Sequence, residues 1–91
     1  MVRDTSLLAY LECREEFGFM ASQVFITIKT YPDLTDLELL RILKSKAPEY
    51  FKEPNNVRPR RRELERQGKI LSTGKRPCEI TGRTAMTWRA V

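Results

Sequence analysis

Between Leu7 and Phe17 the apolar residues recur at roughly helical spacing. Leu7, Leu8 and Leu11 come first, and Cys13 to Phe17 complete an uneven stripe. Asp4, Thr5 and Ser6 offer N-caps ahead of it, and Gly18 offers a C-terminal stop. The pattern predicts a helix over 5–17. Its residues Leu7, Leu8, Tyr10 and Leu11 suit a core face and a dimer face equally well.

The next apolar stretch, Val24 to Tyr31, reads two ways. Val24, Ile26 and Ile28 alternate with Phe25, Thr27 and Lys29, and β-branched residues dominate, which favours a strand. Val24, Ile28 and Tyr31 also share one helical face, with Ser22 as a cap and Pro32 as a stop. Local pattern alone divides evenly between the two. Downstream the signal is plainer. Thr35 precedes Glu38 by three positions, the spacing of a capping box. Leu37, Leu40 and Leu43, flanked by Leu39 and Ile42, form a wide apolar face. Lys44 and Lys46 suit the negative end of the dipole, and Pro48 ends the run. A core helix is expected over 35–46, and Tyr50 and Phe51 are expected to cover its edge.

With Asn56 as N-cap, Val57, Arg58 and Pro59 occupy the first turn of a further helix, and Gly68 stops it. Proline is tolerated there because that N–H has no intrahelical acceptor. At about 100° per residue, Val57 and Leu64 share a narrow apolar side. Arg58, Arg62 and Arg66 point away from it. Arg60 lies on one flank, and Arg61 lies on the other, near the core. Arg61 must therefore snorkel or find an acid, and Glu65 is the nearest in sequence. Past this helix (56–67), Ile70 and Leu71 begin one strand and the alternating "AMTWRAV" forms another. "STGK" and "TGRT" read as turns. Lys75, Arg76 and Arg83 fall in the long basic connection, Pro77 belongs at an edge or in the loop, and Trp88 is assigned to the core rather than to base stacking.

Three to four helices followed by a two-stranded ribbon make a winged helix-turn-helix, an α+β fold that is mostly α. The expected helices are 5–17, 22–31, 35–46 and 56–67, with the wing over 69–90. This order makes 22–31 a helix against its β propensity. The connection from Lys46 to Asn55 is longer than a tight helix-turn-helix turn.

Charge sharpens the picture. Residues 1–57 hold seven Lys/Arg and nine Asp/Glu, whereas residues 58–91 hold ten and three. The net +5 is thus the sum of −2 and +7. Like charges at i, i+4 lower helix stability by a few tenths of a kcal/mol per pair. A one-signed arginine face at a positive dipole end is what a phosphate backbone attracts. Ninety-one residues with 41% apolar content make one globular domain. No apolar run is long enough to span a bilayer, and the N-terminus lacks the pattern of a signal peptide, so a cytoplasmic location without membrane association is expected. Cys13 and Cys78 lie far apart and read as separate thiols rather than a disulfide. The chain has no histidine, no CxxC, no phosphate-binding glycine loop and no GxSxG. No cofactor, no metal and no enzymatic activity are expected.

The stretch from Asn55 to Trp88 resembles small winged-helix proteins common in phage and prophage genomes. The likeness rests on the RPRR start (Arg58 to Arg61), Glu63–Leu64, Gly68, Thr73–Gly74, Arg76, Gly82–Arg83, Ala85 and Trp88, with "LTD.EL" upstream at Leu34 to Asp36 and Glu38–Leu39. It implies a winged helix-turn-helix fold and binding of double-stranded DNA, as a transcriptional regulator or a phage DNA-binding factor. On this reading Asn55, Asn56, Arg58 and Arg62 face base edges or nearby phosphates. Arg60, Arg66 and Lys69 take phosphates, and Lys75, Arg76 and Arg83 contact the backbone or minor groove from the wing. The alternative is a protein-interaction winged helix whose basic face meets an acidic partner. A small nuclease is the weakest reading. It would need Glu12, Glu15, Glu16, Asp33, Asp36 and Glu38 gathered beside the basic face.

Overall fold

The computed structural model describes residues 18–91. The helix expected over 5–17 lies outside them, as do Cys13, Glu12, Glu15 and Glu16. Residues 18–30 are helical and form α1. The helix reading of this segment therefore holds, but its start is earlier than the expected position 22. Ser22 is no cap: its hydroxyl donates to the Gly18 carbonyl at 2.7 Å. Thr27 and Thr30 bond back to Gln23 and Ile26 in the same way, each at 2.8 Å. These i−4 bonds give Ser22 and Thr27, both buried, an acceptor inside the helix. Ala21, Val24, Phe25 and Ile28 recur at helical spacing on the buried face. Burial on that face overrides the β propensity of the segment.

After α1, Asp33 adopts a left-handed φ of 66°. Leu34 then forms an isolated antiparallel bridge with Trp88. Helix α2 spans Asp36–Lys46 and carries the expected capping box. The Thr35 hydroxyl accepts from Glu38 N, and the Glu38 carboxylate accepts from Thr35 N. Leu39, Leu40 and Leu43 are buried, while Leu37 and Ile42 are half-buried. The chain then crosses to Pro54–Asn56, a single 3₁₀ turn. Phe51 is fully buried on the way, but Tyr50 is about half exposed and rests against Phe19, with ring centroids 4.9 Å apart.

Helix α3 spans Arg58–Arg66, with Val57 rather than Asn56 in the N-cap position. The Asn56 side-chain carbonyl instead accepts from Lys52 N and Glu53 N, closing the turn behind it. Val57 and Leu64 are fully buried, which makes them the docking side of α3. Gly68, at φ 75°, completes a Schellman close: Gly68 N bonds Glu65 O and Lys69 N bonds Leu64 O.

Strands β1 (Ile70–Pro77) and β2 (Thr84–Ala90) pair antiparallel, from Ile70 opposite Ala90 to Pro77 opposite Thr84. "STGK" is therefore not a turn. It lies inside β1, where the register shifts between Ser72 and Gly74, and Gly74 supplies the φ of 139° that this bulge takes. The reversal is made at Cys78–Arg83, where Cys78 N bonds Arg83 O and Gly82 N bonds Cys78 O. Pro77 closes β1 at its last position, as an edge residue does. Among the described residues the architecture is α+β, three helices and a two-stranded antiparallel sheet. One core joins them: Val24, Phe25 and Ile28 of α1, Leu39, Leu40 and Leu43 of α2, Val57, Leu64, Ile70 and Trp88.

Candidate nucleic-acid interface

The arginines of the C-terminal half fall into two sets. One set is held by acids. Arg61 makes a bidentate pair with Asp36, at 3.0 and 2.8 Å, and reaches Glu65 at 3.2 Å. Glu65 is thus a partner, as the i+4 spacing suggested, but the buried-side partner is Asp36 at the start of α2. The Arg61 guanidinium also lies 4.2 Å from the centre of the Trp88 ring. It therefore ties α3 to both α2 and the hairpin. Arg89 pairs with Asp33 at 2.9 Å, and Arg66 with Glu63 at 2.9 Å.

Arg76, expected to contact the backbone or minor groove from the wing, lies in β1 and belongs to this set as well. Its guanidinium grips both oxygens of Glu38, one at 2.9 Å, and also bonds the Asp33 and Pro77 carbonyls. Glu38 is almost fully buried on its side chain and also accepts from Glu79 N at 2.8 Å. The Thr35 hydroxyl donates to the Cys78 sulfur at 3.2 Å. That bond, opposed by burial, holds the Cys78 thiol below its usual range. Cys78 is a free, buried cysteine. The N-terminus of α2 thus fastens the hairpin turn through Thr35 and Glu38. Asp33, Asp36 and Glu38 each hold an arginine rather than gathering as a metal site.

Burial pushes the Glu38 carboxyl up, but the Arg76 guanidinium and the Glu79 and Thr35 N–H groups outweigh it and hold it at about 2, below the ordinary 4.5. A lowered folded-state value stabilises the protein above the unfolded value and loses that contribution as pH falls. The melting temperature is therefore expected to drop as pH falls from about 4.5 toward about 2. Thermal melts of wild type and Glu38→Gln across that window check this, because the variant should show a shallower acid limb. Identical limbs would assign acid sensitivity to other carboxylates.

The second set has no acidic partner. Among the described residues, the side chains of Arg58, Arg62, Lys75 and Arg83 are exposed and make no hydrogen bond or ion pair. Arg58 and Arg62 are one turn apart on the outer face of α3. Arg58 and Arg83 line one cleft of about 210 Å³ between α3 and the hairpin turn, whose walls include Leu37, Ala85, Met86 and Trp88. Lys75 sits opposite Met86 in the sheet.

No protein-family model, curated protein or solved structure matches the chain. The site therefore rests on its geometry.

That geometry sorts the remaining candidates. Arg60 is half-buried and its guanidinium reaches the Met20 sulfur at 3.5 Å. Lys69 is half-buried in the turn after α3, where its backbone bonds Leu64 and Val91. Asn55 is exposed in the 3₁₀ turn ahead of α3, whereas the Asn56 oxygen is committed to the backbone. Sequence spacing could not find the Asp36–Arg61 or Glu38–Arg76 pairs, since the partners are far apart along the chain. The one available signal was Glu38 itself, an acid placed one residue from the centre of an apolar helix face.

Proposed function

We propose that the chain is a winged helix-turn-helix protein that binds double-stranded DNA. Helix α3 meets the major groove by its N-terminal half, and the hairpin lies along the backbone. The observation that carries this reading is the division of the arginines. Arg61, Arg76 and Arg89 are absorbed by acids, while Arg58 and Arg62 on α3 and Lys75 and Arg83 on the hairpin are exposed and left unpaired. A face that keeps like charges one turn apart, with no acid between them, gives up a little helix stability. An anionic ligand returns it. Arg66 adds to the face, because its exposed pair with Glu63 contributes little and exchanges readily. Asn55, Arg58 and Arg62 are the groups placed for base edges or nearby phosphates, and Arg60 and Lys69 flank them. Arg76, tied to Glu38, is the least available of the wing cations for a DNA contact.

The role that fits is a transcriptional regulator or a phage DNA-binding factor, in keeping with the resemblance of the Asn55–Trp88 stretch. A DNA ligand goes with a cytoplasmic location, and among the described residues no helix is long and apolar enough to cross a membrane. Titrating the full chain against random-sequence duplex at several salt concentrations tests the proposal. Binding should weaken with a slope of log K against log salt of about −3 or steeper, since each phosphate neutralised contributes about 0.9. No binding at low salt would sink the reading and leave an acidic protein as the partner of the same face.

A further inference from the structure

The N-terminal N–H groups of a helix such as α2 are a ready seat for a phosphate. Here that end is occupied. Glu38 N is bonded by the Thr35 hydroxyl, the Glu38 carboxylate turns back onto Thr35 N, and Asp36 adds a second acid to the first turn. The negative charge at the start of α2 makes this end a poor seat for phosphate. The cleft beside it is lined by Thr35 and Asp36 as well, but Arg61, which also lines it, already takes both Asp36 oxygens. Arg58 enters it from the start of α3 and Arg83 from the hairpin turn. Leu37, Ala85 and Met86 give it an apolar wall. A cationic rim over an apolar wall matches one sugar–phosphate unit, anionic at the phosphate and largely apolar along the deoxyribose.

We infer that this cleft seats a single backbone phosphate of the nucleic acid, held jointly by Arg58 and Arg83, with the adjoining sugar against Leu37, Ala85 and Met86. The inference rests on the DNA-binding reading and deepens it. Two arginines from two elements serve one phosphate, so the hairpin and α3 are locked to the same point on the duplex. Arg62, one turn along α3 and outside the cleft, serves a different point.

Counterion release distinguishes a shared phosphate from two separate ones. The full-length protein, Arg58→Ala, Arg83→Ala and the double variant are titrated with the same random-sequence duplex over a range of salt concentrations. Both side chains are exposed and unpaired, so the variants should fold, which circular dichroism and melting confirm independently. If one phosphate is shared, each single variant keeps nearly the wild-type salt slope, and the double variant loses about 0.9 of it. If each arginine holds its own phosphate, each single variant loses about 0.9 and the double about 1.8. That result overturns the joint seat while leaving DNA binding intact. Wild type failing to bind duplex at low salt overturns both. Inorganic phosphate is the control ligand: if it protects the wild type in melting as strongly as duplex does, the cleft is a free-anion site and the backbone assignment falls.

Discussion

Replacing Arg76 with alanine is expected to lower stability by about 1–3 kcal/mol, the scale for stripping a partner from a buried acceptor, since Glu38 is buried while Arg76 itself is one-third exposed. The loss comes less from the missing attraction than from what remains. Glu38 would stay buried between α2 and the hairpin with its charge unmatched. Thr35 N and Glu79 N would still bond it, but the guanidinium that held both its oxygens would be gone. In a domain of this size a loss of about 1–3 kcal/mol lowers the melting temperature by roughly 4–24 °C. Adding Glu38→Gln to Arg76→Ala should recover part of the loss. The amide oxygen can still accept from those N–H groups without carrying a charge into the interior. Urea denaturation of the three proteins decides the matter. An Arg76→Ala variant within about 0.5 kcal/mol of wild type would mean that the pair is solvated and that the hairpin is held by other contacts.

Trp88→Ala should cost about 3–5 kcal/mol, the range for removing a large aromatic side chain from a packed core. Trp88 is 2% exposed. It joins the hairpin to the helical core, its backbone carbonyl accepts from Asp33 N at 2.8 Å, and its ring lies beneath the Arg61 guanidinium. A total stability of about 5–15 kcal/mol leaves such a variant close to unfolding. Trp88→Phe should be mild by comparison, about 1 kcal/mol or less, for a specific reason. The buried indole N–H has no hydrogen-bond partner among the described residues, so phenylalanine removes an unsatisfied donor while keeping most of the ring. Equal losses in the two variants would show that ring volume is not what holds the site together.

The elements with local signals were legible in the sequence. The Thr35–Glu38 box, the leucine face of α2, the narrow Val57/Leu64 side of α3 and the stop at Gly68 each depend on residues within a few positions of one another. Where the sequence misled, the deciding force was distant. The segment around Val24 has β-branched composition, yet its share in the common core makes it a helix, and it begins earlier than Ser22 suggested. "STGK" carries turn residues, but cross-strand pairing with Thr87 and Met86 draws it into β1 and uses its glycine for a bulge. Asn56 has the chemistry of an N-cap, and the 3₁₀ turn takes its side chain backward instead. The basic face was legible as charge but not as a division of labour. Which arginines are spoken for depends on acids 25 and 38 residues away in sequence.

The crossing between α2 and α3 bears on how the molecule can change over generations. From 48 to 56 the only buried residue is Phe51, and the segment that surrounds it faces water. The direction of α3 is set by Phe51, Val57 and Leu64 as core anchors, not by the length of a tight turn. Closing a longer loop costs little, about 0.6 kcal/mol for each doubling. A residue inserted before Phe51, outside the turn that Asn56 closes onto Lys52 and Glu53, is therefore expected to cost little while the arginine face of α3 keeps its bearing.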